Sequence, residues 1–240
     1  MQKFFVDEIS GKFYTILGED AAHISKSLRS KVGDIIILCD KNGIDYKCKI
    51  QSISKDSVDV NVIDSSICKS EPDVLVTLYQ AVPKSDKMDF IVKKCVELGI
   101  HEIVPITTKR CIPNFDNKSF EKKRLRLQKI SLEAAKQSKR GRVPKVRDLL
   151  SFDDALKQIA YFDISLLFYE GGGDSIKNLI SSTYSKIAIF IGPEGGFEEA
   201  EVKNIIDSGA KLSSLGPRIL RTETASLAAL SIIMFLTGNM

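Results

Sequence analysis

The chain has 240 residues, 43% hydrophobic and 28% charged, with a formal net charge of +4. That balance is typical of a soluble globular protein, and the length suits one large domain or two modest ones. A core of this size needs no disulfide or structural metal. Charges at Lys3, Asp7 and Glu8 leave no apolar leader segment, and the charge-free run from Thr224 to Met240 is at or below the length of a bilayer span. Neither a secreted nor a membrane protein is expected. Five cysteines, an odd number without CxxC spacing, read as reduced thiols in a cytoplasmic protein. The two histidines, His23 and His101, lie far apart without a ligand cluster, so no metal site is expected.

Up to about Cys68 the pattern is β. Lys47 and Lys49 alternate with Tyr46, Cys48 and Ile50, and Asp59 and Asn61 alternate with Val58, Val60 and Val62. Asp34 to Cys39 is a further apolar run, followed by the hairpin-type turn Lys41-Asn42-Gly43. His23 to Ser30 predicts one short helix. A small barrel or sandwich over residues 1–70 is expected, with a linker around Pro72.

From Val74 onward strands and helices alternate. Strands are predicted at Val74–Ala81, Glu102–Thr107, Ile164–Tyr169, Lys186–Ile191 and Lys211–Leu215. Helices are predicted at Asp86–Leu98, Glu121–Ser138, Phe152–Tyr161, Ser175–Ser182, Glu198–Ser208 and Glu223–Leu236. Met88, Ile91, Cys95 and Leu98 form a helical stripe, and Gly99 suits the position just past that helix. Such alternation argues an α/β domain over residues 74–240, built on a mostly parallel sheet that binds ligands at the carboxyl ends of its strands.

Charge is unevenly spread. Between Lys118 and Arg147 twelve Lys or Arg face two acids, a local +10 that leaves −6 for the rest of the chain. A basic block on a mildly acidic body suits a polyanion such as nucleic acid, although a solvated helix face would look similar. Arg126, Lys129, Glu133 and Gln137 share one face of the predicted helix.

Three loops leave predicted strand ends in the last third: Tyr169 to Gly173, Gly192 to Phe197, and Leu215 to Ala225. None matches a Walker loop or GxGxxG, so a nucleoside triphosphate or dinucleotide is not the default ligand. Arg218 and Arg221 stand just before a helix whose dipole prefers anions there. Thr222 suits the cap of that helix. Glycine backbone, apolar Ile219 and Leu220, and the two arginines suit a heterocycle beside an anion.

These residues carry a resemblance. Gly192-Pro193-Glu194-Gly195-Gly196-Phe197 and Leu215-Gly216-Pro217-Arg218-Ile219-Leu220-Arg221-Thr222-Glu223-Thr224-Ala225 closely resemble motifs of the small-subunit ribosomal RNA methyltransferase E family, of the SPOUT class. His23-Ile24-Ser25-Lys26-Ser27-Leu28-Arg29 with Gly33-Asp34 resembles its N-terminal motif. Glu133-Ala134-Ala135-Lys136-Gln137-Ser138 with Arg140, Arg142 and Pro144 resembles its central basic motif. Lys139 stands where the family usually has Gly, and Ser27 where it usually has Val. The resemblance implies a PUA-like, RNA-binding β-barrel followed by a trefoil-knotted α/β domain. It also implies a homodimer, S-adenosyl-L-methionine as methyl donor, and N3-methylation of one uridine in 16S ribosomal RNA of the small ribosomal subunit.

With that implication, uracil N3 must lose its proton before it attacks a methyl group, and the anion needs donors at O2 and O4. Arg221 is the candidate for holding the anion and Glu223 for orienting it or relaying the proton. The cofactor is expected among Tyr169, Ile191, Gly192, Glu194, Gly195, Leu215, Gly216, Ile219, Leu220, Thr222 and Ala225. The RNA is expected on Arg29, Gln137, Lys139, Arg140, Arg142 and Arg218. A non-catalytic RNA-binding protein of ribosome assembly is the alternative, using the barrel and the basic block alone. A second alternative is an α/β enzyme for another anionic small molecule.

Overall fold

The structure is a computed structural model and describes residues 1–112 and 117–240. Packing divides the chain into two units, residues 1–71 with 135–143, and residues 72–134 with 144–240. The first unit thus takes in a stretch from the middle of the basic block.

The first unit is a five-stranded sheet of β1 (Lys3–Phe5), β2 (Phe13–Leu17), β3 (Ile35–Cys39), β4 (Ile44–Ile53) and β5 (Ser57–Ile67), in the order β1-β3-β4-β5-β2. Strands β1 and β3 pair in parallel; the other pairs are antiparallel. Alternation decides the inner face: Ile36, Leu38, Cys48, Ile50, Val58 and Val60 are buried with Phe4 and Ile24. In the turn after β3, the Asp40 carboxylate accepts from the Asn42 N–H at 2.9 Å and the Ile44 N–H at 3.0 Å. The expected helix at His23–Ser30 starts earlier, as α1 (Gly18–Ala22), and runs into a π-helical turn at His23–Ser27. Gly18, at φ +66°, turns the chain off β2, and Glu19 and Asp20 favour a helix N-terminus there.

Residues 135–143 are held in this unit by charge. The Arg140 guanidinium is 2% exposed and donates twice to the Glu71 carboxylate, each bond 2.8 Å. Glu71 also accepts from the Gly141 N–H at 2.7 Å and lies 3.1 Å from Arg142 Nε. Burial pushes the Glu71 carboxyl up, but the two arginines and the Gly141 N–H outweigh it and hold it below the usual range. The Lys3 ammonium donates to the carbonyls of Lys139 and Arg140 at 3.0 and 3.1 Å.

The second unit is a seven-stranded parallel sheet in the order β10-β12-β9-β11-β6-β7-β8. Its strands are β6 (Leu75–Ala81), β7 (Glu102–Ile106), β8 (Lys145–Val146), β9 (Ile164–Phe168), β10 (Asp174–Ser175), β11 (Lys186–Ile191) and β12 (Lys211–Ser214). The five longer strands match the apolar runs; the two-residue β8 and β10 are too short to show a period. Helices α2 (Lys87–Glu97), α3 (Asn117–Gln137), α4 (Phe152–Lys157), α5 (Ile176–Leu179), α6 (Glu199–Asp207) and α7 (Thr222–Leu236) connect them, α3 running on into the first unit. Helix α2 buries Met88, Ile91, Cys95 and Val96 and packs against α7. Tyr79 stacks on Phe190 with ring centroids 4.5 Å apart at the centre of the sheet.

One local feature explains the departure at Lys139. Its φ is +59°, a left-handed conformation that a glycine adopts without penalty. Lys139→Gly should therefore raise the stability of the protein, by about 0.5–1 kcal/mol once the greater freedom of glycine in the unfolded chain is set against the relief. A denaturant midpoint unchanged or lowered by the substitution would contradict the strained turn.

Candidate functional site

The strand order creates the site. The chain lays down β6, β7 and β8 toward one edge, returns to β9, and then inserts β11 between β6 and β9 and β12 between β9 and β10. Strands β12, β9 and β11 are therefore parallel neighbours, and their following loops leave one edge of the sheet side by side. These are the three loops singled out in sequence. Between them lies a cavity of about 780 Å³.

Its walls are apolar and glycine-rich. Ile191, Leu215, Ile219 and Leu220 line it with Tyr169, Gly192, Gly196 and Gly216. Two glycines are required here by geometry. A Cβ on Gly192 would lie 3.1 Å from the Gly196 carbonyl carbon and 3.2 Å from the Phe197 ring, and Gly196 itself has φ +69°. Gly195 differs from expectation: it does not line the cavity. Its carbonyl accepts from Arg110 Nη1 at 2.8 Å, and a Cβ there would meet the Arg110 side chain at an ordinary 3.5 Å.

A buried polar network fixes the loops. Gln80, on β6 and fully buried, donates from Nε2 to Thr222 Oγ1 at 2.9 Å and accepts at Oε1 from the Ser226 hydroxyl at 2.6 Å. Thr222 Oγ1 in turn donates to the Gly192 carbonyl at 2.7 Å. Thr222 was expected to cap α7. Instead Arg221 occupies the cap position, without a side-chain cap bond, and the threonine hydroxyl ties α7 to the loop after β11.

Five charged residues line the cavity: Lys87, Glu170, Glu194, Arg218 and Arg221. Arg218 and Arg221 are exposed, and no side-chain partner is found for either among the described residues. Lys87 Nζ lies 3.0 Å from Glu194 and 3.3 Å from Glu223 Oε2. Glu194 also accepts from the Lys84 N–H at 3.2 Å. The Glu194 carboxylate foremost, with Glu223 behind it, holds the Lys87 ammonium above its ordinary pKa. Partial burial pushes Glu194 up, but Lys87 and the backbone donors outweigh it and keep it below the usual carboxylate range. Glu223, expected to orient the anion or relay the proton, does not line the cavity; it lies against Lys87.

Of the expected cofactor residues, Tyr169, Ile191, Gly192, Glu194, Leu215, Gly216, Ile219, Leu220, Thr222 and Ala225 all line the cavity. Of the expected RNA residues, Arg218 lies there too. Arg29, Gln137, Lys139 and Arg142 are exposed on the first unit. Arg140 corrects the expectation of a phosphate contact: it is buried and committed to Glu71, because a carboxylate beside a sheet core satisfies a guanidinium that water cannot reach. Elsewhere in the basic block Arg124, Arg126 and Arg147 lie in ion pairs with Glu121, Asp89 and Glu102. Lys87 is the charged cavity residue that sequence reasoning missed, beside Phe168, Ser213 and Ser214; its signal is its place just beyond the carboxyl end of β6, next to β11.

Comparison with known proteins adds a family. A model described as an RNA methyltransferase domain matches residues 70–234, and one described as an RNA methyltransferase PUA domain matches residues 16–63. Ribosomal RNA small subunit methyltransferase E of Bacillus subtilis (strain 168) is 38% identical, across 99% of this chain and 97% of that protein. Its namesake in Aquifex aeolicus (strain VF5) is 30% identical across 98% and 99%. The crystal structure of a ribosomal RNA small subunit methyltransferase E from Neisseria gonorrhoeae, bound to S-adenosyl methionine, superposes with a TM-score of 0.90 at 28% identity, covering 98% of each chain.

The glycine geometry predicts a contrast between neighbours. Gly192→Ala should lower the melting temperature, because its methyl group meets backbone that cannot retreat, whereas Gly195→Ala should leave it nearly unchanged. Equal melting curves for the two variants would refute this account of the loop.

Proposed function

The chain belongs to the ribosomal RNA small subunit methyltransferase E family, and from that premise we infer that it transfers a methyl group from S-adenosylmethionine to N3 of a uridine in 16S ribosomal RNA. The observation that carries this reading is the cavity of the three loops, lined by the exposed Arg218 and Arg221, for which no side-chain partner is found among the described residues. A cavity of about 780 Å³ that combines apolar side chains, glycine backbone and charged groups suits a nucleoside bearing a sulfonium arm, recognised largely through backbone groups. Ile191, Leu215, Ile219 and Leu220 would hold its purine, with the backbone of Gly192 and Gly216 alongside. Bound there, the cofactor supplies an electrophilic methyl group.

The chain's own residues have two tasks. They place uracil N3 in line with the methyl, and they stabilise the negative charge that N3, O2 and O4 share once the proton has left. Arg221 is the donor proposed for that charge. Glu223 enters through Lys87, whose ammonium it contacts. The exposed Arg29, Gln137, Lys139 and Arg142 of the first unit are proposed to hold phosphates, which adds affinity without sequence information.

The SPOUT-type knot of the second unit belongs to the same reading, supported by the insertion of β11 between β6 and β9. So does a homodimer, supported by the large exposed Phe235 on α7. No helix among the described residues is long and apolar enough to cross a membrane. A cytoplasmic location is proposed with it, supported by five free thiols.

Titration with S-adenosylmethionine separates this reading from a non-catalytic RNA-binding protein. Calorimetry should show binding that Gly192→Val abolishes; no heat with the wild-type protein would favour the binding protein. Arg221→Ala should then lower the single-turnover methylation rate by about a hundredfold to a thousandfold, with cofactor affinity and melting temperature retained. A rate that falls only in step with cofactor occupancy or folded fraction would make Arg221 scaffolding.

A further inference from the structure

Lys87 is an odd residue for its place. It is the first residue of α2, where the helix dipole disfavours a cation, and no apolar stripe explains it. Two carboxylates from distant parts of the chain hold it there, Glu194 from the loop after β11 and Glu223 from α7. Among the described residues Glu223 Oε2 is buried without a hydrogen-bond partner, and the Lys87 ammonium lies 3.3 Å from it. Such a carboxylate behind an ammonium costs desolvation and is retained more readily for positioning than for stability.

An ammonium has three donors. Glu194 takes one and Glu223 attracts a second, which leaves a third for the cavity that Lys87 lines. We propose that Lys87 is a second catalytic cation, lining the same cavity as Arg221 and donating to a uracil carbonyl oxygen of the N3-deprotonated base, with Glu194 and Glu223 as its positioning residues. This rests on the methyl-transfer reading above. In the step, the N3–H bond breaks and its proton passes to water. The electron pair left on N3, shared with O2 and O4, forms the bond to the methyl carbon. The bond from that carbon to sulfur breaks, and the sulfur keeps the pair.

The other charged groups leave room for this role. Arg218 and Arg221 come from the loop after β12, with no side-chain partner among the described residues, and Glu170 lines the cavity from the loop after β9. On the helix itself, Asp86 and Asp89 lie against Arg126 of α3 rather than Lys87. Lys84 meets Glu194 through its backbone N–H. Two cations lining one cavity would divide a charge that the base itself delocalises over two oxygens.

A cation that stabilises the imide anion has a signature that scaffolding lacks: its loss matters less when the base is easier to deprotonate. Single-turnover methylation should be measured on saturated enzyme across a pH series. The substrates are small subunits reconstituted with 16S RNA containing either uridine or the more acidic 5-fluorouridine. Lys87→Met and Lys87→Gln should lose about a hundredfold near neutral pH on uridine RNA. The deficit should shrink as pH rises and be smaller on 5-fluorouridine RNA, while Lys87→Arg retains most of the rate. Melting curves and cofactor calorimetry identify which neutral variant is folded and loaded, and the comparison is made on that one. If both neutral variants unfold, Lys87 is a structural ion-pair partner and the proposal fails. A deficit of the same factor at every pH and on both RNAs, or no deficit, overturns it and leaves the methyl-transfer reading standing. Wild-type protein that makes no N3-methyluridine removes that reading and the Lys87 role together.

Discussion

Gln80 sits fully buried in the middle of a parallel sheet, where an unsatisfied amide would be among the most destabilising groups a protein can carry. Every polar atom of its side chain is used. The amide nitrogen reaches the Ala81 carbonyl and Thr222, and the oxygen accepts from Ser226. Through Thr222 the same network reaches the Gly192 carbonyl. One side chain on β6 thereby sets the position of α7's first turn against the loop after β11, two elements separated by some thirty residues of sequence. The cavity depends on that setting, because both elements line it.

The constraint also explains why the cavity is built from so little side-chain chemistry. With the hydroxyls of Thr222 and Ser226 turned to Gln80, the loops present backbone, apolar side chains and glycine to the cavity beside five charged residues. A cation on a rigid frame can meet developing negative charge without reorganising, which is where electrostatic stabilisation acts most strongly. The basic block follows a different logic. Arg140 is spent on Glu71 inside the first unit, and Arg124, Arg126 and Arg147 are spent on neighbouring acids. What remains for a polyanion is a smaller set than the count of charges suggests.

Sequence reasoning reached the α/β alternation and the inner face of the first sheet because both rest on periodicities of apolar residues. It placed the three loops at strand ends, and the strand order, which it did not see, brought them side by side. Its errors have one physical root: partners distant along the chain. Thr222 looks like a cap until Gln80 and Gly192 are beside it, Arg140 looks like a surface charge until Glu71 is beneath it, and Gly195 looks like a ligand contact until Arg110 takes its carbonyl. Lys87 was invisible for the same reason, since its two carboxylates lie more than a hundred residues away. The resemblance to the family supplied what periodicity does not, and the usual glycine at the position of Lys139 finds its explanation in a left-handed turn.

The central claim is that this cavity directs a methyl group to one uracil nitrogen. Purified protein should be incubated with methyl-labelled S-adenosylmethionine and small ribosomal subunits from a strain lacking the activity, and the 16S RNA digested and mapped by mass spectrometry. The account predicts label in a single oligonucleotide, on uracil N3, and none when Arg221→Ala replaces the wild type in a single short turnover. Label on a ribose, on another base or spread over many sites would contradict it, as would no label at all.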